Sequence, residues 1–229
     1  MIHHIAKESV IFIDIETVPA APEFAQLRPL WQSLWVAKHH SLGRTDSPEE
    51  SYERAGIYAE FGKIICISLG YYARKGNTRR LISFYGHEEE ELLSGFLRWL
   101  KKNYTGHHRF CAHNGKEFDY PWLCRRMLIL GLELPECLQL MGKKPWEINH
   151  LDTLELWKFG DFKHYTPLRL LAAVFGADDP KQGMDGSAVY SKYWLESDLE
   201  SIREYCEADV LTLMSIFEAM QGRNIPSET

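Results

Sequence analysis

The run Val10-Ile11-Phe12-Ile13-Asp14-Ile15-Glu16-Thr17 constrains this chain more than any other stretch. It is rich in Val, Ile and Phe and free of Pro and Gly, so it reads as a central strand covered on both faces. Alternate side chains of a strand share a face, which pairs Asp14 with Glu16 and sets Ile13 and Ile15 opposite. Two carboxylates at the end of a buried strand resist ionisation through desolvation and mutual repulsion, and a divalent cation relieves both. The competing reading is a solvated turn before Pro19. Other segments must decide between them.

Composition narrows the setting. A chain of 229 residues, 45% hydrophobic and 13% aromatic, buries a sizeable core and suits one domain, 1–229, with an insertion. The N-terminus lacks a secretory pattern, and no apolar run approaches the roughly 18 residues of a membrane span, so a soluble cytoplasmic protein without membrane partners is expected. Five cysteines, none in Cys-x-x-Cys spacing, argue against a disulfide framework or a zinc site. Cys66, Cys111 and Cys206 read as core. A net charge of −6 disfavours nonspecific wrapping of duplex DNA. Three basic pairs could still touch phosphates: Arg74 with Lys75, Arg79 with Arg80, and Lys143 with Lys144.

Along the chain, 19–62 forms a helical insertion. Trp31 and Trp35, at i,i+4, pack a helix on the core or, alternatively, offer a platform for unpaired bases. Ser47-Pro48-Glu49-Glu50 carries a capping box and opens a helix to about residue 58. Two strands, 63–72 and 79–85, join through a turn containing Gly76 and Asn77 and make a meander with the first. Residues 88–102 form a helix whose leading glutamates suit its dipole. A fourth strand over 109–113 precedes Asn114-Gly-Lys-Glu-Phe118-Asp119, a helix over 122–130 and Gly131. There Asp119 reads as an N-cap or as a ligand. Residues 148–153 form the fifth strand, and a helix capped by Thr166 runs to Gly176. The loop 176–190, containing Lys181 and Asp185, edges whatever site the last helix carries.

In that last helix, opened by the capping box Ser197-Asp198-Leu199-Glu200, the apolar positions Leu199, Ile202, Cys206, Leu213, Ile216 and Met220 recur at spacings of three and four. Asp209 falls in the same stripe. An aspartate on a core-facing stripe needs a partner. Tyr205, at i−4, supplies a local hydrogen bond, and a cation shared with Asp14, Glu16 and Asp119 accounts for all four acids together.

Asp14-Ile-Glu16, Asn114-x-x-x-Phe118-Asp119 and Tyr205-x-x-x-Asp209, in this order, resemble the three motifs of the tyrosine subclass of DEDD exonucleases. With Leu151-Asp152-Thr153-Leu154-Glu155-Leu156-Trp157-Lys158 and Phe61-Gly62-Lys63, the chain is similar to the predicted 3'-5' exonucleases related to the proofreading domain of B-family DNA polymerases. A histidine in place of Tyr205 would have indicated the other subclass. The resemblance implies a ribonuclease H-like α/β fold, a mixed five-stranded sheet flanked by helices, which agrees with the strands and helices read above. It also implies two-metal hydrolysis of phosphodiester bonds at single-stranded or frayed 3' ends, with DNA the expected substrate. Asp14, Glu16, Asp119 and Asp209 would hold two Mg or Mn ions. Tyr205 would orient the attacking water; its reference pKa near 10 makes it a poor base. Thr17, Asn114 and Phe118 would contact the substrate strand.

Three alternatives stand beside this reading. One is an RNA-directed 3' exoribonuclease; another is a noncatalytic nucleic-acid binding module on the same fold. The third is a haloacid dehalogenase-type phosphatase, with Asp14 as nucleophile and Asp178 and Asp179 as the late acidic pair.

Overall fold

The computed structural model describes residues 2–73, 78–161, 163, 165–179, 184 and 186–222. Five strands form one mixed sheet: β1 (Val10–Pro19), β2 (Gly62–Tyr72), β3 (Arg79–Tyr85), β4 (Arg109–Ala112) and β5 (Leu151–Asp152). Their order is β3-β2-β1-β4-β5. The β1-β2 and β2-β3 pairs are antiparallel, completing the meander, while β4 and β5 run parallel to β1. The fifth strand is shorter than its sequence suggests, because Asp152 caps the next helix instead of extending the ladder. The β2-β3 turn and the Arg74-Lys75 pair lie outside the described residues, as do Lys181 and Asp185.

Helices cover the sheet on two sides. On one face Ile11, Ile13 and Ile15 pack with Leu93 and Phe96 of α3 (Glu89–Asn103) and with Leu123 and Met127 of α4 (Asp119–Ile129). On the other, Val10 and Phe12 meet Val210, Leu213, Met214 and Phe217 of the long C-terminal helix Leu199–Met220. The strand is therefore buried on both faces, as its unbroken apolar run requires. The C-terminal helix lies close over β2 at Gly70, where an added Cβ would come within 2.6 Å of Val210 Cγ1 and 2.7 Å of Met214 Sδ.

Residues 20–61 fill the connection from β1 to β2 with α1 (Pro29–Ser41), α2 (Pro48–Ser51) and a 3-10 turn, Tyr52–Ile57. The box at Ser47 forms, with Glu50 N–H donating to Ser47 Oγ and Ser47 N–H to Glu50 Oε2. Yet only one α turn follows before the 3-10 segment replaces the longer helix expected there. Trp35 is fully buried, edge-on to Tyr52 and Phe61, and its indole N–H donates to Pro48 O. It packs and cannot stack on bases.

Between β5 and the C-terminal helix lie α5 (Thr153–Lys158) and α6 (Leu168–Phe175), then a π-helical turn, Ser191–Leu195. With the C-terminal helix numbered α7, three caps differ from expectation. Ser197 adopts a left-handed φ of 54°, and Asp198 becomes the N-cap of α7, accepting Ser201 N–H at 3.1 Å. A carboxylate is the stronger acceptor, and Asp198 stands at the same three-residue distance from an amide. Pro167 precedes α6 without a side-chain cap, so Thr166 does not cap it. Helix α4 begins at Asp119 itself, three residues earlier than expected, with Phe118 at the N-cap position.

Glu89 departs from a purely dipolar role. It is buried and takes both Nε and Nη2 of Arg126, at 2.9 and 2.6 Å, together with Ile64 N–H at 2.7 Å. Arg126 in turn donates to Ala59 O at 2.8 Å. This fork ties α3 and α4 to the start of β2, satisfying two charges that would be costly alone.

Candidate active site

The carboxyl ends of β1, β4 and β5 lie along one edge of the sheet, because all three strands run parallel. Beyond Phe12 the pairing of β1 with β4 ends, and Asp14, Glu16 and Thr17 extend past it. The register of β2 shifts between Glu16 and Thr17, leaving an extra residue, Ile65, on β2 at that point. Such a bulge sharpens the twist beside the two acids.

Around Asp14 the other three acids converge. Glu16, Asp209 and Asp119 all act on its charge, and burial adds the largest effect, so its pKa stands well above the ordinary carboxylate range. Asp119, 4% exposed, is pushed up to about 7, chiefly by burial and further by Asp152 and Asp209. Hydrogen bonds from its own amide and from Ile15 N–H oppose that rise. Asp119 thus leans on β1 from the first turn of α4, and it does not cap that helix, whose N-cap position is held by Phe118.

From α7, Tyr205 hydrogen-bonds to Asp209, and burial with the charges of Asp209, Glu16 and Asp14 drives the phenol pKa upward. It stays protonated and is a donor. The next residue, Cys206, contributes what the sequence alone did not: it is core, as expected, but its Sγ also lies 3.2 Å from Asp14 Oδ2 and 3.4 Å from Asp14 O. Ligand atoms of Asp14, Glu16 and Cys206 fall within 4.8 Å of one another. Burial and the neighbouring Cys66 raise the Cys206 thiol well above its usual range, so it donates to Asp14 and does not compete as a thiolate.

The expected substrate contacts sit at the rim. Thr17 is half-buried, and its hydroxyl donates to Gly56 O at 2.7 Å, pinning the insertion to β1. Asn114, at φ 64°, turns the chain after β4 and accepts Phe118 N–H at 3.0 Å. Gly115 is required next to it, since a Cβ would lie 2.3 Å from that of Ala112. Phe118 is partly buried beside Trp122, with ring centroids 5.9 Å apart.

Asp152, which sequence reasoning placed only within a family motif, organises this turn. Its 3%-exposed carboxylate accepts Asn114 N–H at 2.9 Å and Lys116 N–H at 3.1 Å while capping α5 through Leu154 N–H at 2.9 Å. The signal was available: an Asp at a strand end directly before a helical Thr-Leu-Glu-Leu. Its contact to residue 114, 38 positions away, was not.

Other candidates are disposed of by their contacts. Arg79 donates to Glu218 at 2.7 Å and to Ser215 at 2.9 Å, which makes it a structural clamp. Asp178 and Asp179 are both exposed, Asp179 pairs with Arg169, and the acids that act on Asp14 are Glu16, Asp209 and Asp119, not the pair a phosphatase would need. Among the described residues no helix is long and apolar enough to cross a membrane.

Among solved structures, the family B DNA polymerase from the hyperthermophilic archaeon Pyrobaculum calidifontis superposes with a TM-score of 0.54 at 15% identity. The match covers 92% of this chain but 24% of the polymerase, so the chain spans about a quarter of that protein's length. At that identity the likeness establishes the fold, the mixed ribonuclease H-like sheet. No match is found among curated proteins. Residues 57–223 match the family described as predicted 3'-5' exonucleases related to the exonuclease domain of PolB, a span that includes Asp119, Tyr205 and Asp209 and leaves Asp14 and Glu16 outside. With most of its length accounted for in this way, the chain belongs to that family of predicted 3'-5' exonucleases.

Proposed function

We infer that the chain is a single exonuclease unit, 1–229 with its helical insertion at 19–62, that removes nucleotides from the 3' end of a single-stranded or frayed strand, DNA before RNA. The observation that carries this reading is the convergence of Glu16, Asp119 and Asp209 on Asp14, where burial and mutual repulsion raise the carboxyl pKa values of Asp14 and Asp119. Such a donor set is all oxygen and overcharged for its surroundings, which fits hard divalent cations such as Mg or Mn. Asp14, Glu16, Asp119 and Asp209 would hold them. When bound, a pair of such ions neutralises the scissile phosphate and acidifies the water that attacks it.

The remaining work falls to the chain's own groups. Tyr205, kept protonated, positions the attacking water through its hydroxyl and leaves Asp209 to share its charge with the site. The Cys206 thiol holds Asp14 in one rotamer from behind, and Ile15 N–H does the same for Asp119. Glu16 and the main chain at Thr17 receive the terminal 3' hydroxyl, with Asn114 and Phe118 lining the approach of the last base.

The test is digestion of 5'-labelled single strands, DNA beside RNA, with Mg, Mn and excess chelator. A ladder shortening one nucleotide at a time from the 3' end, lost in chelator, is expected. Full activity in chelator, or efficient cutting of a closed single-stranded circle, refutes the reading.

A further inference from the structure

A groove of about 940 Å³ runs along the outer face of α4, between that helix, the segment 134–148 and α5. It starts at Lys116 and Glu117, three and two residues before Asp119, and passes Pro121 and Arg125 to reach Leu128. Its floor is apolar, and three large side chains on it are open to solvent: Leu128 at 51%, Met141 at 79% and Trp146 at 76% exposure. Apolar surface of this kind is uncommon without a partner.

Charge identifies the occupant. In a chain of net charge −6, this groove is lined by Lys116, Arg125, Lys143 and Lys158 against Glu117 and Glu155. Lys116 and Glu155 cancel, 2.7 Å apart. Arg125, Lys143 and Lys158 make no ion pair among the described residues. Lys144 Nζ stands 5.3 Å from the centre of the Trp146 ring, holding a cation beside the exposed indole. Cations interleaved with an exposed aromatic form the pattern that binds unpaired nucleic acid: rings take bases and cations take phosphates. An apolar trough for a protein helix would not need unpaired cations along its wall.

We propose that this groove holds the single strand upstream of the terminal nucleotides, with bases on Trp146 and the Leu128-Met141 floor and phosphates on Arg125, Lys143 and Lys158. The direction of the strand, 3' end at Asp119 and 5' side toward Met141, rests on the exonuclease reading. Occupancy of the groove does not, so it is measured apart from catalysis.

The experiment uses fluorescence anisotropy of the full chain with 5'-labelled single-stranded DNA in excess chelator. A strand of about 12 nucleotides, within the span of single-strand sites, is set against one of about 3, too short to leave the metal site. Trp146→Ala should weaken binding of the longer strand roughly ten-fold, the effect of removing one stacking partner, and leave the short one unchanged. Arg125→Ala/Lys143→Ala should lower the slope of log affinity against log salt by about 0.7 for each phosphate that the variant no longer neutralises. All three residues are exposed, so melting should not move. Equal effects on both lengths, or none on either, overturn the proposal, as does loss of a concentration-dependent dimer in Trp146→Ala without strand binding in the parent. Groove-dependent binding without nucleotide release under Mg or Mn would instead sink the exonuclease reading and leave the groove standing. Normal strand binding by the variants of an enzyme that degrades strands would sink the groove alone.

Discussion

Asp119→Asn should make the metal-free protein more stable at pH 8 and not at pH 5. The Asp119 carboxyl has a pKa of about 7 in the folded chain, against about 3.9 for an unfolded aspartate. A raised carboxyl pKa means the folded state holds the proton more tightly, so this group costs stability above the unfolded value, and the cost is complete above pH 7. Three pH units correspond to at most about 4 kcal/mol. The asparagine keeps one acceptor for Ile15 N–H or its own amide and loses the strength of a charged one, roughly 1–2 kcal/mol. A net gain of about 2 kcal/mol at pH 8 remains, shrinking to nothing or reversing as pH falls below about 5. Urea melts of both proteins in chelator, at pH 5 and pH 8, measure it. Saturating Mg should then stabilise the parent far more than the variant, because bound cations reward the charge that the apo fold penalises. A variant no more stable than the parent at pH 8, with the same dependence on pH, refutes the reasoning that repulsion and burial strain this site.

Tyr205→Phe should leave metal affinity intact and slow single-turnover cleavage roughly ten- to a thousand-fold, the effect of one positioning hydrogen bond; unchanged turnover removes the hydroxyl from the mechanism. Asp152→Ala strips acceptors from Asn114, Lys116 and Leu154 amides in a buried site, so a loss of about 2–4 kcal/mol in denaturant melts is expected, with Asp152→Asn recovering part of it. Gly70→Ala forces a methyl against Val210 and Met214 and should cost about 1–3 kcal/mol in the same melts. Because it pushes α7 off β2, turnover should fall too, through Tyr205 and Asp209.

The strand at Val10–Pro19 was legible because both of its faces are buried, so every residue carries the same apolar instruction until the two acids interrupt it. The stripe on α7 was legible for a similar reason: a helix packed along its length on a sheet repeats its pattern over many turns, and Asp209 stands out within it. Local capping was only half legible, since Ser197 and Asp198 each stand three residues from a usable amide and the backbone angle at Ser197 selects between them. Contacts between distant segments left no trace in either pattern. The Glu89–Arg126 fork, the thiol of Cys206 on Asp14, and Asp152 beneath Asn114 all join segments 37 or more residues apart. In sequence each looks like an ordinary helix glutamate, core cysteine or strand-end aspartate. Residue type and spacing determined which side chains could serve the site. Whether four acids meet, and how far the pKa values of Asp14 and Asp119 rise, depends on burial and on mutual distance, and those exist only once β1, α4 and α7 have packed together.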